Sequence, residues 1–165
     1  MILQLVNSPE WEKTDTSSIE STASGAALLP PDLNAKFQSK IKANLIHGYG
    51  TSEAVRFLFY SWLRNSQIGE FSQTLAITGS MRENSLPGYK PVEGSVGLLM
   101  PGLEARIIRE DGTDGGEGDT GELWVKGDCV FQGYFNDEEA TARAMTKDGW
   151  FNTGDICTVD EKQNF

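Results

Sequence analysis

The uneven distribution of glycine constrains the fold of this chain most. Twelve of its 18 glycines lie at or after Gly94. Apolar and polar residues alternate between these glycines over 103–108, and a second short apolar run covers 121–127, as is typical of strands. Asp-Gly and Gly-Gly pairs favour the tight turns that join antiparallel strands. The second half is therefore predicted to form an antiparallel sheet built from hairpins.

The first half has the pattern of mixed helix and strand. Pro30-Pro31-Asp32 opens a segment whose apolar side chains recur every four residues and whose lysines lie toward its end, as expected of an amphipathic helix whose charges complement its dipole. The apolar residues are Leu33, Phe37 and Ile41, and the lysines are Lys36, Lys40 and Lys42. Asn44-Leu45-Ile46 follows as a short predicted strand that runs into a glycine turn.

Other segments are less regular. Residues 54–63 are apolar on so many sides that a buried helix and a core strand both fit, and residues 66–90 are predicted to be a loop or a long insertion. An N-cap at Asn136, with Glu139 at the third helical position, predicts a helix through about Met145. The predicted class is therefore α/β, with one region over 1–93 and a second over 94–165.

Net charge excludes several classes of partner. Fourteen basic residues against 24 acidic ones give −10 at pH 7, which disfavours nucleic acid and anionic membrane surfaces. A phosphate ligand would need backbone N–H groups, hydroxyls and a metal ion.

No apolar run approaches the roughly 18 residues of a membrane span. Cys129 and Cys157 have neither metal-ligand nor disulfide spacing, which predicts a reducing, cytoplasmic setting.

Three segments are candidates for chemistry. In the first, Ser24-Gly25-Ala26-Ala27, small side chains would let a flat ligand approach the backbone. On base rates, a tight strand-to-helix turn is the commoner explanation for such a segment.

The second candidate is Gly48-Tyr49-Gly50-Thr51-Ser52-Glu53. Tyr49 offers a ring for stacking, Thr51 and Ser52 offer hydroxyls, and the freed backbone could point N–H donors at an anion. Glu53 beside them could bind a hard cation such as Mg²⁺. Nucleotide binding and a capped glycine turn with an aromatic plug are about equally consistent with this spacing.

The third candidate is Gly149-Trp150-Phe151-Asn152-Thr153-Gly154-Asp155. A carboxylate directly after glycine can accept hydrogen bonds from two vicinal hydroxyls, although an Asx-type turn closing a hairpin also fits. His47 is the single histidine, and such a residue is more often packed or exposed than catalytic. An acidic cluster is predicted to be a solvated hairpin tip; its members are Glu110, Asp111, Asp114, Glu117 and Asp119.

Taken in chain order, these segments resemble the AMP-binding superfamily of adenylate-forming enzymes, in particular its branch of acyl-CoA synthetases and 4-coumarate–CoA ligases. The resemblance covers nearly all 165 residues, and the occurrence of these motifs in the family's order makes it specific. Besides the three candidates, the matching segments are Asp15-Thr16-Ser17-Ser18-Ile19, Gly94-Ser95-Val96-Gly97, Gly121-Glu122-Leu123-Trp124-Val125-Lys126-Gly127 and Gly133-Tyr134-Phe135-Asn136.

The resemblance implies a fold and an activity. Residues 1–93 would belong to the layered αβ domain that holds adenine, and 94–165 to a distorted antiparallel β-barrel. A carboxylic acid would react with ATP to give an acyl-adenylate and pyrophosphate, and coenzyme A would then take the acyl group.

The resemblance also assigns roles to residues. Tyr49 would stack on adenine, Ser52 would contact the α-phosphate, Glu53 would bind Mg²⁺ and Asp155 would accept the ribose hydroxyls. The remaining predicted nucleotide contacts are Gly25, Ala26, Ala27, His47, Gly48, Gly50 and Thr51. In coumarate-type ligases the position of His47 commonly carries Gln.

Two family elements have no counterpart in the 165 residues. These are the Ser/Thr/Gly-rich phosphate loop with its lysine, and the hinge and C-terminal domain with the lysine that promotes adenylation. We therefore expect a fragment that is inactive alone and whose partner is the remainder of the enzyme. A full-length parent could be peroxisomal. The alternative is a non-catalytic remnant that binds an adenylate or regulates another chain.

Overall fold

Helices and strands alternate along the first half of the molecule and strands dominate the second. The structure is a computed structural model that describes residues 1–26, 29–54, 77–80, 87–90 and 92–165. The elements of these residues are α1 (Ile2–Val6), β1 (Ser21–Ser24), α2 (Pro31–Lys40), β2 (Asn44–Tyr49), β3 (Thr78–Gly79), β4 (Leu98–Leu99), β5 (Leu103–Ile108), β6 (Thr120–Gly127), α3 (Glu138–Ala144) and β7 (Phe151–Thr158). The predicted α/β class is confirmed.

The first sheet has the order β1-β2-β3-β4. β1 and β2 are parallel, with Ser24 opposite His47, and α2 provides the crossover that parallel neighbours need. β3 runs antiparallel to β2, with Thr78 opposite Tyr49, and β4 runs antiparallel to β3. β2 is therefore an inner strand, and its C-terminal end carries the second candidate segment.

The predicted helix in the first half is confirmed as α2. Pro31 lies in its first turn with Asp32, and Lys40 lies in its last turn, where its charge complements the dipole. Phe37 is buried and its ring stacks on that of Trp11, with centroids 5.8 Å apart. Lys40 donates a hydrogen bond to the Trp11 carbonyl. A small cluster of Val6, Trp11, Phe37 and Ile41 thus holds α2 against the N-terminal segment.

The second sheet consists of β5, β6 and β7, all antiparallel. Ile107 pairs with Leu123, and the alternation of buried and less buried residues along β6 gives the sheet one core face. The two predicted strands over 103–108 and 121–127 are confirmed. Along the described ranges this sheet stays open, and no closed barrel is formed.

The connection between β5 and β6 contains the acidic cluster. Arg109 forms an ion pair with Asp119, with nitrogen and oxygen 2.6 Å apart, and the Gly116 N–H donates to the same carboxylate at 2.6 Å. Asp111 accepts from the Thr113 hydroxyl at 2.6 Å. These carboxylates therefore organise the tip of the hairpin.

The third candidate segment forms a strand. An Asx-type turn was one of its two interpretations, but β7 runs from Phe151 to Thr158, so Asp155 lies within a strand. The pairing is irregular there: Trp124 faces Asn152, whereas Glu122 faces Ile156. β7 thus has two more residues than β6 over this stretch, a bulge that contains Thr153, Gly154 and Asp155. Bulges bend a strand and redirect its side chains.

The predicted second helix forms as α3, but its cap lies elsewhere. Asp137 is the N-cap, and its carboxylate accepts from the Ala140 N–H at 2.8 Å. Asn136 instead has a φ of +53°, in the left-handed region that asparagine tolerates. The third helical position is therefore Ala140, and Glu139 forms an i,i+4 ion pair with Arg143.

Local patterns missed three short elements of the first half, which are α1, β1 and β3. The strand expected over 44–46 was predicted but continues to Tyr49 as β2. The loop predicted over 66–90 is wrong at Thr78–Gly79, which form β3. Most of that segment, together with residues 55–63, lies outside the described residues. A two-residue strand has no sequence period, so only its partners β2 and β4 define it.

A hydrophobic cluster joins the two sheets. Ala54 and Ile77 from the first half pack with four buried residues of the second sheet, which are Ile107, Leu123, Val125 and Phe151. β4 also lies after residue 93 and yet pairs with β3. The division into 1–93 and 94–165 remains a prediction. Among the helices of the described residues, none has the length and apolar content to cross a membrane.

Candidate functional site

Tyr49 and Asp155 meet where the two sheets approach each other. The Tyr49 hydroxyl donates to Asp155 Oδ2 at 2.5 Å, although the two residues are 106 positions apart. Tyr49 ends β2 and Asp155 lies on the bulge of β7. The structure thus brings the second and third candidate segments into direct contact, and a molecule bound against one would lie beside the other.

Burial and the nearby carboxylate act on the groups around this contact. Burial, followed by the hydrogen bond and charge of Asp155, raises the pKa of Tyr49 above its usual range. Burial and the same charge raise the pKa of the Cys157 thiol to about 11. The Tyr49 hydroxyl is therefore a proton donor at neutral pH, and Cys157 is a neutral thiol.

The Asp155 carboxylate is set by the bulge of β7. The Thr153 hydroxyl donates to the Leu123 carbonyl of β6 at 2.8 Å, and the Gly154 N–H donates to the Glu122 carboxylate at 3.0 Å. Gly154 has a φ of +76°, which glycine adopts without the steric cost of a side chain. The Asp155 side chain is exposed, so its second oxygen is available to hydroxyl groups of a ligand.

His47 lies two residues before Tyr49 on β2 and is bonded to Ser80, the residue after β3. Its backbone N–H donates to the Ser80 hydroxyl at 2.6 Å, and the Ser80 N–H donates to the His47 carbonyl at 2.7 Å. Burial lowers the pKa of the imidazole from its usual value. His47 is therefore neutral at pH 7, and its backbone aligns the end of β2 with β3.

The first candidate segment lies beside the end of β2. A methyl group on Gly25 would lie 3.2 Å from the Gly48 carbonyl oxygen, so the two backbones approach closely and a side chain would crowd the space. Ala26 is exposed with a φ of +69°, which is uncommon for alanine and is the kind of strain found at ligand-binding turns. Ala27, the fourth residue of this motif, lies outside the described residues.

The loop after β2 presents oxygen atoms. Ser52 is exposed, and Thr51 Oγ1 is buried without a hydrogen-bond partner within the described structure. Glu53 is half-buried, and its carboxylate accepts from the Tyr134 hydroxyl at 2.9 Å. Gly50 is the residue between Tyr49 and this loop. Buried hydroxyls are normally hydrogen-bonded, so the unpartnered Thr51 oxygen is an unusual feature of this loop.

Sequence reasoning missed the role of Tyr134. The motif Gly133-Tyr134-Phe135-Asn136 was recognised, but no function was assigned to its tyrosine. Tyr134 lies 81 residues from Glu53 in the chain, so no local spacing links the two. The signal that was present is a tyrosine directly after Gly133, whose φ of +143° is one that residues with a side chain rarely adopt. The loop of Glu53 and the second half of the chain therefore meet in a second tyrosine–carboxylate contact.

Glu122 is a second residue that sequence reasoning left without a role. Its carboxylate accepts from the Gly154 N–H and, at 2.9 Å, from the Trp124 indole N–H. Both oxygens are thus used to hold the bulge that carries Asp155. It lines, with Tyr134, Arg143, Asn152 and Thr153, an open groove of about 390 Å³ between α3 and β7.

The donor set fits a magnesium ion bound together with a ligand's phosphates. Within the described ranges no three His, Cys, Asp or Glu side chains converge to form a protein-only metal site. Mg²⁺ is usually held by one or two carboxylates together with substrate phosphates and water. Glu53, flanked by the hydroxyl groups of Thr51 and Ser52, provides such a single carboxylate.

Comparison with known families identifies the chain's relatives. The model of the AMP-binding enzyme family matches residues 1–135. The chain belongs to this family. Its curated relatives are acid–CoA ligases, and it is 35% identical over 164 residues to a long-chain-fatty-acid–CoA ligase of Bacillus subtilis, covering 98% of this chain and 24% of the relative. With 4-coumarate–CoA ligase 3 of Oryza sativa it shares 32% over 163 residues, which are 98% of this chain and 26% of the relative.

Solved structures of the same class confirm the fold. Apo MatB from Rhodopseudomonas palustris superposes with a TM-score of 0.74 at 27% identity, over 99% of this chain and 28% of the other. ATP-bound MatB from the same organism gives 0.75 at 27% identity, again over 99% of this chain and 28% of the other. The chain spans about a quarter of the length of the curated relatives it matches.

Proposed function

We propose that this chain contributes the nucleotide-binding part of an ATP-dependent acid–thiol ligase. The reaction would join a carboxylic acid to coenzyme A through an acyl-adenylate. The observation that carries the proposal is the contact between Tyr49 and Asp155, because an aromatic ring and an exposed carboxylate lie side by side at the end of a sheet. The names of the curated relatives, which are acid–CoA ligases, support the same reaction class.

Adenine, ribose and the α-phosphate would each have a partner in this arrangement. The Tyr49 ring would stack on adenine, with the backbones of Gly25, Ala26 and Gly48 along its edge, while His47 and Gly50 flank the strand end. Asp155 would accept the two ribose hydroxyls, which requires that its bond to the Tyr49 hydroxyl be shared or released. Ser52, which is exposed, would donate to the α-phosphate, and Thr51 precedes it in the same loop. Every one of these contacts is neutral or acidic, in keeping with a net charge of −10.

The chemistry needs no strong base on the protein. The substrate carboxylate attacks the α-phosphorus of ATP, the bond to pyrophosphate breaks, and the acyl-adenylate forms. A thiol of coenzyme A then attacks the acyl carbon and AMP leaves. Glu53 would hold Mg²⁺, which supplies neutralisation of phosphate charge. The residues of this chain would bind and orient the nucleotide, and positioning of this kind accounts for much of the rate in such reactions.

We further propose that the 165 residues alone do not catalyse ligation. The family's phosphate loop and its C-terminal lysine have no counterpart in this sequence, and removal of a single group that stabilises developing charge typically lowers the rate by about 10²–10³. Cys129 and Cys157 form no disulfide within the described residues, which supports a cytoplasmic location. A chain that binds an adenylate without turning it over remains the alternative role.

The test is titration calorimetry of the purified chain with AMP, together with an assay of ATP-dependent acyl-CoA formation. We expect AMP to bind and Asp155→Asn to weaken binding by about 10- to 100-fold, since hydrogen bonds to a charged group contribute about 1.5–3 kcal/mol. Glu161→Gln, an exposed acidic position outside the site, is the matched control and should bind as the parent chain does.

The possible results separate the proposals. AMP binding that survives Asp155→Asn unchanged would contradict the assigned site. Binding without acyl-CoA formation is the expected outcome, and addition of the missing segments as a second polypeptide should then restore activity if the chain is part of a ligase. Binding that is never followed by turnover, even with those segments, would favour the non-catalytic role. Robust acyl-CoA formation by the chain alone would overturn the proposed inactivity.

A further inference from the structure

We propose that Tyr134 is a positioning residue that orients the Glu53 carboxylate toward the metal–phosphate group. This inference rests on the proposed function, because it assigns a role relative to the magnesium ion of that site. The observation that carries it is the 2.9 Å hydrogen bond from the Tyr134 hydroxyl to Glu53 Oε1. It fixes one carboxylate oxygen and leaves Oε2 for a cation.

Glu53 is held by its backbone as well as its side chain. The Phe131 N–H donates to the Glu53 carbonyl at 2.7 Å, and Ala54 and Val130 form an antiparallel bridge. Ala54 is also buried in the central cluster. The segment 130–134 therefore contacts the loop at Glu53 and Ala54. The Tyr134 hydroxyl adds a third contact, to the carboxylate that would bind the metal.

Tyr134 itself has little freedom to move. Its backbone N–H donates to the Thr141 hydroxyl of α3 at 2.9 Å, and that hydroxyl donates to the Asp137 carbonyl at 2.8 Å. A methyl group on Gly133 would lie 2.6 Å from Thr141 Cγ2, so only glycine lets the chain pass this close to α3. The backbone that carries the phenol is therefore held against α3 on this side.

The ring of Tyr134 is fixed on its inner side as well. It meets the Phe131 ring edge to face, with centroids 4.9 Å apart and planes at 74°. Phe131 in turn packs edge to face on buried Phe151, at 5.5 Å and 80°. Such aromatic pairs have defined geometry. The ring of Tyr134, whose hydroxyl contacts Glu53, is thus packed against the core through Phe131 and Phe151.

A hydrogen bond of this kind is what orients metal-binding carboxylates. Ligating carboxylates are themselves hydrogen-bonded to neighbouring groups, and loss of such a neighbour typically lowers metal affinity by about 10- to 100-fold. The phenol removes the rotational freedom of the Glu53 side chain without occupying both oxygens. A purely structural tyrosine would have no effect confined to the metal-dependent part of nucleotide binding.

The test compares metal-dependent with metal-independent nucleotide binding. Mn²⁺ replaces Mg²⁺, and electron paramagnetic resonance measures free Mn²⁺ in titrations of Mn²⁺–ATP, while AMP without metal is titrated by calorimetry. The variants are Tyr134→Phe, Glu53→Gln and the double variant. Phe135→Leu is the control, because Phe135 is the neighbouring aromatic residue and is 93% exposed. Circular dichroism checks that each variant is folded.

We expect Tyr134→Phe to bind Mn²⁺–ATP about tenfold more weakly and AMP as the parent chain does. The double variant should bind Mn²⁺–ATP no more weakly than Glu53→Gln alone, because the hydroxyl acts through that carboxylate. The inference is overturned if Tyr134→Phe matches Phe135→Leu, or if it weakens AMP equally. A parent chain that binds neither AMP nor Mn²⁺–ATP would overturn the proposed function, and this inference with it.

Discussion

The two tyrosine–carboxylate contacts place the same chemical groups in different settings. Tyr49 is half-buried and donates to Asp155 at 2.5 Å. Tyr134 is 40% exposed and donates to Glu53 at 2.9 Å. The arrangement is reciprocal, since each contact joins a residue of the first half to one of the second. The two contacts therefore tie together the same two parts of the chain from opposite directions.

The difference in burial separates their roles. Burial is the main cause that raises the pKa of Tyr49, whereas the hydrogen bond to Glu53 is the main cause that raises the pKa of Tyr134. A hydrogen bond whose donor is partly shielded from water contributes more to stability than one whose donor is open to solvent. We therefore expect the Tyr49 contact to stabilise the fold and the Tyr134 contact to orient a side chain.

The largest effect on the free energy of unfolding should come from a substitution in the hydrophobic core that supports both contacts. Leu123 is 2% exposed and belongs to the cluster that joins the sheets. Leu123→Ala should lower the free energy of unfolding by about 2–5 kcal/mol, because it removes buried methyl groups and leaves a cavity. Urea unfolding followed by fluorescence measures this change.

Leu3 provides the control for that experiment. It is 59% exposed on α1, and Leu3→Ala should change the free energy of unfolding by no more than about 0.5 kcal/mol. Equal losses for the two variants would mean that the joint between the sheets does not support the fold.

An intermediate effect should distinguish the contacts from each other. Tyr49→Phe should lower the free energy of unfolding by about 0.5–1.5 kcal/mol, the usual contribution of one hydrogen bond. Tyr134→Phe should unfold at the same urea concentration as the parent chain, because water replaces its partner. The comparison is refuted if Tyr134→Phe is the more destabilised of the two.

The smallest effect concerns the thiol beside Asp155. Burial, then the Asp155 charge, raises the pKa of Cys157 to about 11 from an ordinary 9.0. The folded state thus holds the Cys157 proton more tightly than the unfolded state does. The stability that the protonated thiol contributes is therefore present below about pH 9 and is lost as pH rises toward about 11.

Alkylation by iodoacetamide in a Cys129→Ser background measures that shift. The rate at Cys157 should stay low at pH 8 and rise with a midpoint near pH 11. Adding Asp155→Asn should lower the midpoint, because it removes the Asp155 charge, which is one of the two causes of the raised pKa of Cys157. A midpoint at the ordinary thiol value would show that β7 does not bury this side chain.

Some features of the fold could be predicted because their causes are local. Phe37 and its neighbours repeat at the period of a helix, and Leu123 and Val125 alternate as a strand requires. The N-cap of α3 is Asp137 rather than the predicted Asn136. Both residue types are good caps, and only the left-handed backbone at Asn136 makes Asp137 the cap. β3 could not be predicted, since two residues have no period of their own.

The sequence alone determined the family, the α/β class and the residue types available to bind a nucleotide, because these follow from the order of motifs and from local periodicity. Which residues face each other was decided by the tertiary structure. The bulge of β7 brings Asp155 to Tyr49, and the segment at Phe131 brings Tyr134 to Glu53. Such contacts join positions 106 and 81 residues apart, and strand pairing and burial, which no local pattern encodes, fix them.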